Sequence, residues 1–393
     1  MKGSIRQRGS SSFELRVYVG TDPDTGKRRW ITRTVLGTRA DAQRELKALA
    51  AHANVAPAVG SHTTVGELLD QWFARGRTGW SPTTVRNLGS IIERHLKPGL
   101  GDLLVGDLTA ALVDQFYERL RTEGRIDGKP LAVGTVRRVH STLHAALAQA
   151  QRWSWVFDNV ADHASPPRGE PVEMRPPTPA EVARLLEFVA DDPPLQLYLT
   201  LAATTGARRG QLLALRWADV DLAAGSLSMQ RSVVEGPEGP VLVPTKTRRS
   251  HRVALDPSSL ELLRTYRERV ADENGEGAFE QRFVFCADRT GTRPWLPNFV
   301  TKRFIVARRA AGLGHFRLHD LRHFMATEML DAGVPVRIVA ARLAHARAST
   351  TLNVYAHAVP GGVRLAAEAL WRKVEEARRE SSVSSPDSSS PPR

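Results

Sequence analysis

The spacing of apolar and polar residues changes along the chain, from a short strand-like part to a long helical part. Apolar and polar residues alternate from Phe13 to Val19, which is typical of a half-buried strand. Residues 22–26 form a turn pattern before a further strand, and Thr38 can cap the helix that follows. The pattern predicts a three-stranded sheet plus one helix over residues 1–55.

Between residues 62 and 160, four stretches repeat apolar residues at helical spacing. The first stretch opens with Thr64 and Glu67, a capping box in which each side chain satisfies a backbone N–H at the helix start. In the second stretch, Pro82 occupies a favoured first helical position. Amphipathic helices with short connections predict a four-helix bundle.

The proline-rich segment 161–177 predicts a linker, and Thr178 with Glu181 then opens a new helix. The chain is expected to be mainly helical from residue 178 to about residue 380, before a Ser/Pro-rich tail (381–393) that we expect to be disordered. Strand patterns interrupt the helices near residues 226–235, 240–245 and 250–255. The predicted fold class is therefore α+β, mainly α with small β-sheets.

Charge and cysteine content narrow the classes of function. The 393-residue chain has 55 Lys+Arg against 42 Asp+Glu, a net charge of +13. This excess favours a polyanionic partner, with nucleic acid ahead of an acidic membrane; a basic but merely solvated surface is the alternative. The single cysteine, Cys286, excludes an internal disulfide and a multi-cysteine zinc site. No apolar run reaches membrane-spanning length, so a cytoplasmic protein is expected.

Several cationic and imidazole side chains have the chemistry needed to bind a phosphodiester. Arg208 follows Gly206, which is expected to end a helix; the neighbouring Arg209 is its rival for the same role. An arginine fork binds two phosphate oxygens and stays charged. His319 and Arg322 are three residues apart, so on one helix they share a face close to its N-terminus, where the dipole favours a phosphate.

A lysine and a tyrosine complete the candidate set. Lys246 lies between two strand patterns, where a hairpin tip could carry it into a groove; a solvated run of charges is the alternative. Tyr355 lies ten residues after His345, within the segment Thr350-Thr351-Leu352-Asn353-Val354-Tyr355-Ala356-His357. A tyrosine of ordinary pKa is a poor nucleophile until cations beside it stabilise its anion.

Four motifs occur in one order along the chain: Thr205-Gly206-Ala207-Arg208-Arg209, His319-Asp320-Leu321-Arg322-His323, Leu343-Ala344-His345 and the segment around Tyr355. In this order the chain resembles the tyrosine recombinases, the phage integrase family. The resemblance implies that Arg208 and Arg322 bind the scissile phosphate and that Tyr355 is the nucleophile. It also implies that His319 accepts a proton or donates to the phosphate, that His345 hydrogen-bonds the phosphate, and that Lys246 protonates the departing 5′ hydroxyl.

Two positions depart from the pattern of the family. Gln211 stands where the family usually has an acidic residue that braces the first arginine, and Ala344 stands in place of glycine. The alanine requires only that this residue avoid positive φ. His323 lies one step away from the paired His319 and Arg322 and is expected to be structural.

The resemblance also implies three domains: an arm-site DNA-binding domain (1–55), a core-binding helical domain (62–160) and a catalytic domain (178–380). Candidate DNA contacts lie on the polar faces of the first two domains and in the basic run after Lys246. They are Arg16, Arg28, Arg33, Thr83, Arg86, Arg137, Arg138 and Arg248.

The function implied is site-specific recombination of DNA through a 3′-phosphotyrosyl intermediate, integrating or excising a mobile element without metal or another cofactor. Expected partners are double-stranded attachment sites, three further copies of the chain in a tetramer, and an excisionase or DNA-bending protein. An amphipathic segment at residues 361–380 could dock on a neighbouring subunit or on its own domain. Two alternatives remain: a type IB topoisomerase-like enzyme and a non-catalytic DNA-binding regulator.

Overall fold

The computed structural model describes residues 3–21, 28–55, 62–125, 127–169, 175–236, 238–245, 251–274 and 279–344. The chain divides into two compact units, Met1–Val172 and Glu173–Arg393. The division falls inside the predicted linker. Helices and small antiparallel sheets make up both units, which confirms the predicted α+β class.

The first unit begins with an antiparallel sheet in the order β1-β2-β3, covered on one face by a helix. Its elements are β1 (Gly3–Gly9), β2 (Ser12–Thr21), β3 (Arg28–Leu36) and α1 (Arg39–Val55). Phe13, Leu15 and Val17 are buried on the helix side, as their alternation predicts. Thr38 caps α1, since its hydroxyl accepts a hydrogen bond from the Asp41 N–H at 3.2 Å.

The rest of the first unit is a helical bundle around one apolar core. Its helices are α2 (Val65–Gly76), α3 (Pro82–Ile91), α4 (Lys97–Leu100), α5 (Ala110–Glu123) and α6 (Val133–Arg152). The predicted capping box at Thr64 and Glu67 is present. The second predicted helix continues beyond α3 as a π-helical turn, Ile92–Leu96, and only this turn buries side chains fully.

The second unit surrounds α8, a helix that is apolar on almost every side and therefore buried. Its helices are α7 (Pro179–Phe188), α8 (Pro193–Thr205), α9 (Arg209–Leu213), α10 (Pro257–Asn274), α11 (Pro297–Ala310), α12 (Asp320–Asp331) and α13 (Val336–Arg342). Its strands are β4 (Val220–Asp221), β5 (Ser226–Met229), β6 (Arg231–Gly236), β7 (Gly239–Pro244) and β8 (His251–Ala254). Thr178 and Glu181 form the predicted capping box of α7.

The pairing of these strands corrects one prediction. The strands on either side of Lys246 were expected to form a hairpin, but β7 pairs with β6, whereas β8 pairs with β5 in a separate sheet with β4. The described strands before and after Lys246 therefore belong to different sheets. The single strand expected over residues 226–235 is divided at Gln230, which lets its two halves join different sheets.

No helix among the described residues is both long and apolar enough to cross a membrane.

Candidate phosphate-binding site

The corner between α8 and α9 places Arg208. Helix α8 ends at Thr205, and Gly206 follows with φ of 63°, the left-handed conformation that glycine adopts at little cost. A Cβ at Gly206 would lie 2.1 Å from Met325 Cε and 3.1 Å from Leu343 Cδ2. Both the sharp turn and the close approach of these side chains therefore require glycine here.

Gln211 holds the backbone of Arg208. Its side-chain oxygen accepts a hydrogen bond from the Arg208 N–H at 3.0 Å, and Gln211 is 3% exposed. The amide thus braces the main chain of the arginine. The Arg208 guanidinium forms no hydrogen bond or ion pair with any residue in the described part of the chain. Burial lowers its pKa, but an arginine remains charged at neutral pH.

The guanidinium of Arg209, unlike that of Arg208, makes a hydrogen bond within the fold. Its Nη1 donates to Thr301 Oγ1 of α11 at 2.7 Å, and its backbone carbonyl accepts from the Tyr198 hydroxyl at 3.2 Å. The neighbouring glycine, Gly210, packs so closely on β6 that an added Cβ would lie 2.5 Å from the Val233 carbonyl oxygen. These contacts fix α9 against α8, α11 and β6. Of the two neighbouring arginines, Arg208 is therefore the one whose guanidinium has no partner among the described residues.

Arg322 is held in the opposite way, by its guanidinium. It lies in the first turn of α12 and is 5% exposed. Its Nη1 donates to the Gly206 carbonyl at 2.5 Å, and its Nη2 donates to the Leu343 carbonyl at 2.7 Å. Through Gly206, two residues before Arg208, the structure brings the two predicted phosphate-binding arginines to one place.

His319 lies at the N-cap position directly before α12, which begins at Asp320. Its ring meets the ring of His323 edge to face, with 5.1 Å between centroids. Burial, and then the charges of His323 and Arg322, lower the pKa of His319 to about 4. The ring is therefore neutral at neutral pH, so one nitrogen donates while the other accepts.

Asp320 fixes the turn that leads to His319. Its carboxylate, 4% exposed, accepts the Arg317 N–H at 2.6 Å and the Arg317 guanidinium at 2.9 Å. Burial opposes ionisation of this carboxyl, but the hydrogen bonds from Arg317 outweigh it and lower the pKa of Asp320. The charged carboxylate therefore orders the chain at the N-terminus of α12.

The residue motifs gave no indication of His251, the first residue of β8, opposite Met229. Its Nδ1 is buried and has no hydrogen-bond partner among the described residues. Burial, followed by the charges of Arg322 and Arg208, lowers the pKa of its ring. The histidine is thus close enough to both arginines to sense their charge. Its location depends on how β8 pairs, which local spacing does not specify.

Four predicted site residues lie outside the described residues: Lys246, Arg248, His345 and Tyr355. The structure therefore brings together Arg208 and Arg322, with His319 and His251 beside them. Within the described ranges, no group of three or more His, Cys, Asp or Glu side chains could hold a metal ion.

The backbone at Ala344 contradicts the expectation that this residue avoids positive φ. Its φ is 49°, a positive value, although the replacement of glycine by alanine was expected to be harmless only at negative φ. The residue follows the C-cap of α13, Leu343, and its N–H donates to the Ala341 carbonyl at 2.9 Å. A left-handed residue is common directly after a helix, and here alanine adopts that conformation with a steric cost.

The predicted DNA contacts of the first unit differ in their surroundings. Arg16 lies on the sheet face away from α1, with its guanidinium 5.3 Å from the Trp30 ring centroid. Arg33 was expected on the same face, but its register opposite the buried Leu15 puts it on the helix side. There it pairs with Glu45 at 3.0 Å.

The remaining candidates in this unit lie on one strand and two helices. The backbone of Arg28 pairs with Thr21, and its side chain is outside the described residues. Thr83 lies in the first turn of α3 and is half-buried, and Arg86 on the same helix is exposed. Arg137 and Arg138 are exposed on α6, where Arg138 Nε donates to the Gly134 carbonyl at 3.3 Å.

Residues 177–360 match the model of the phage integrase family, and residues 64–121 match the model of the phage integrase N-terminal SAM-like domain. The chain belongs to the phage integrase family. This integrase-family chain is 27% identical over 367 residues to an integrase of Streptomyces ambofaciens, covering 89% of each. It is 25% identical over 388 residues to a putative prophage phiRv2 integrase of Mycobacterium tuberculosis, covering 95% of this chain and 96% of that protein.

Two solved structures have the same fold. The Tn1549 transposon integrase in complex with transposon right end DNA matches with a TM-score of 0.66 and 18% identity, over 78% of this chain and 99% of that one. A lambda integrase dimer bound to a COC′ core site matches with a TM-score of 0.54 and 20% identity, over 89% and 93% of the two chains. These similarities extend the family assignment to the three-dimensional fold.

Proposed function

We propose that this protein is a site-specific tyrosine recombinase that cuts and rejoins DNA, integrating or excising a mobile element. The observation that carries the proposal is the convergence of Arg208 and Arg322 at the Gly206 turn, where the Arg208 guanidinium has no partner among the described residues. A guanidinium stabilises the negative charge that grows on phosphate oxygens during cleavage. Membership of the family supports recombination as the reaction.

The proposed reaction is a transesterification. The Tyr355 oxygen attacks the phosphorus, a 3′-phosphotyrosyl bond forms, and the bond to the 5′ oxygen breaks. Lys246 gives its proton to that 5′ oxygen, and neutral His319 is available to accept the proton of the phenol. The 5′ hydroxyl of a partner strand then reverses the attack. One phosphodiester replaces another, so the chemistry itself needs no ATP.

The proposed partners are double-stranded attachment sites and further copies of the chain in a tetramer, with an excisionase or DNA-bending protein to set direction. Solved relatives include a lambda integrase tetramer bound to a Holliday junction. We propose the predicted division into an arm-site domain (1–55), a core-binding domain (62–160) and a catalytic domain (178–380) for this chain as well.

A nicked suicide substrate carrying the cognate site tests the proposal. The nick lets the fragment that holds the new 5′ hydroxyl diffuse away, so the covalent intermediate accumulates. We expect the wild-type protein to form an adduct that survives denaturant, and Tyr355→Phe to bind the site but form none. Binding should weaken steeply with added salt, because phosphate contacts release counterions.

Other outcomes select other functions. Site binding without any adduct from the wild-type protein would indicate a DNA-binding regulator. An adduct accompanied by relaxation of supercoiled DNA lacking the site would indicate a topoisomerase. Loss of site binding together with the adduct in Tyr355→Phe would contradict a nucleophilic role for this tyrosine.

A further inference from the structure

Arg342, the last residue of α13, ties this helix to the end of α8. It is half-buried, and its Nη2 donates to the Thr204 carbonyl at 2.9 Å. Burial lowers the pKa of its guanidinium, against the opposing charge of Asp256. Thr204 lies in the last turn of α8, where backbone carbonyls lack partners inside the helix. The arginine supplies a partner for one of them and places a positive charge at the negative end of the helix dipole.

The neighbouring residue closes a ring of contacts. The Leu343 carbonyl accepts from Arg322 at 2.7 Å, and Arg322 also donates to the Gly206 carbonyl at 2.5 Å. The path from Thr204 through Arg342, Leu343 and Arg322 therefore returns to Gly206, which directly follows α8 and lies two residues before Arg208. Both arginines therefore link the end of α8 to the end of α13.

The ring also reaches the start of α10. Thr204 Oγ1 lies 3.2 Å from the hydroxyl of the fully buried Ser259, and that hydroxyl donates to Asp256 Oδ2 at 2.5 Å. Asp256 lies shortly after β8, the strand that begins with His251. The end of α8 is thus the common anchor of the segments that carry Arg208, Arg322 and His251.

We propose that Arg342 is a positioning residue for DNA cleavage, which sets Arg322 relative to Arg208 by fixing the end of α13 on the Thr204 carbonyl. The inference rests on the proposed function. Arg342 acts through Leu343 and Arg322 and does not itself contact the scissile phosphate. A displacement of about 1 Å at a reacting centre can cost up to roughly 10²-fold in rate, so a single anchoring bond is sufficient to matter.

Three variants of the full-length protein test the inference in single-turnover cleavage at saturating site DNA. Arg342→Gln removes the charge and shortens the donor, and its rate of adduct formation should fall by about tenfold or more. Arg342→Lys keeps a cation that can still donate to one carbonyl, and should recover most of the rate. Arg337→Gln changes an exposed arginine on the same helix and should behave as wild type. Affinity for the site should be unchanged in all three.

Thermal unfolding of each variant accompanies the kinetics, and rates are expressed per folded molecule. The inference is overturned if Arg342→Gln cleaves at the wild-type rate, or if its loss only follows the unfolded fraction. A fall in affinity as large as the fall in rate would show a direct DNA contact instead. If Arg342→Gln does not fold, Arg342→Lys decides, since an unrecovered rate in that folded variant contradicts the role given to the Thr204 contact. Absence of an adduct from the wild-type protein is a distinct result that rejects the proposed function.

Discussion

The α8–α9 corner and the first turn of α12 each supply one arginine to the site, but they hold it differently. At the corner, Gln211 fixes the backbone of Arg208, and the guanidinium forms no bond with another described residue. In α12, the guanidinium of Arg322 is buried and bridges two carbonyls. Two side chains with the same predicted role therefore differ in how many hydrogen bonds their guanidinium groups make within the fold. Arg208 has a guanidinium without a partner among the described residues, whereas the guanidinium of Arg322 joins the residue after α8 to the residue after α13.

Removal of Arg208 should have the largest effect on cleavage and the smallest on stability. We expect Arg208→Ala to slow adduct formation by about 10²–10³-fold, roughly 3–4 kcal/mol, because one preorganised donor to the phosphate is lost. The midpoint of thermal unfolding should not change. Arg209→Ala is the matched control: it loses the bond to Thr301 and should keep nearly the wild-type rate. Equal losses in the two variants would contradict the distinction between them.

A neutral substrate shows whether the charge of Arg208 is what matters. A methylphosphonate at the scissile position lacks the charge of the phosphate, so cleavage of this substrate depends less on a cation. The defect of Arg208→Ala, expressed relative to wild type, should therefore be smaller on this substrate than on the ordinary phosphodiester. A defect of the same size on both substrates would show that Arg208 acts by position and not by charge.

Removal of Arg322 should lower stability as well as cleavage. Arg322→Met has a side chain of similar length but leaves the Gly206 and Leu343 carbonyls without these donors. Hydrogen bonds to charged groups contribute about 1.5–3 kcal/mol each, and removal of the buried charge offsets part of the loss. We expect the free energy of unfolding to fall by about 3 kcal/mol, measured by chemical denaturation of the full-length protein. Arg208→Met should leave it unchanged, and equal stabilities would contradict the bridging role.

Predictions from the sequence were correct for features that depend on neighbouring residues. They were wrong for strand pairing, which depends on contacts between distant segments. The capping boxes at Thr64 and Thr178 and the helix end at Gly206 were correct, because a few consecutive residues determine each of them. The expected hairpin around Lys246 was wrong, since strand pairing is decided between distant segments.

The same limit applies to single side chains. Arg33 lies on the helix side because of its register with Leu15, and a single strand pattern does not give that register. The carbonyl partners of Arg322 come from Gly206 and Leu343, 116 and 21 residues away in the chain. The motif therefore predicts a phosphate ligand at this position, but it does not reveal that the arginine also joins two helices.

Ala344 provides the smallest and most local way to sharpen the comparison, because it directly follows the carbonyl that holds Arg322. A left-handed alanine costs about 1 kcal/mol, and glycine would relieve that strain while adding freedom to the unfolded chain. We expect Ala344→Gly to stabilise the protein by about 0.5 kcal/mol in chemical denaturation and to retain cleavage. Ala341→Gly, in the helical part of α13, should instead destabilise by roughly 0.5–1 kcal/mol.

Opposite signs for these two glycine substitutions would separate relief of backbone strain from a general loosening of α13. If Ala344→Gly also destabilises, the left-handed turn is not what limits stability at this position. Retained cleavage in Ala344→Gly would further show that the Leu343 carbonyl keeps Arg322 in place through its own contacts. The anchoring of Arg322 would then depend on the ring of hydrogen bonds that includes Arg342, and not on the stiffness of the residue that follows.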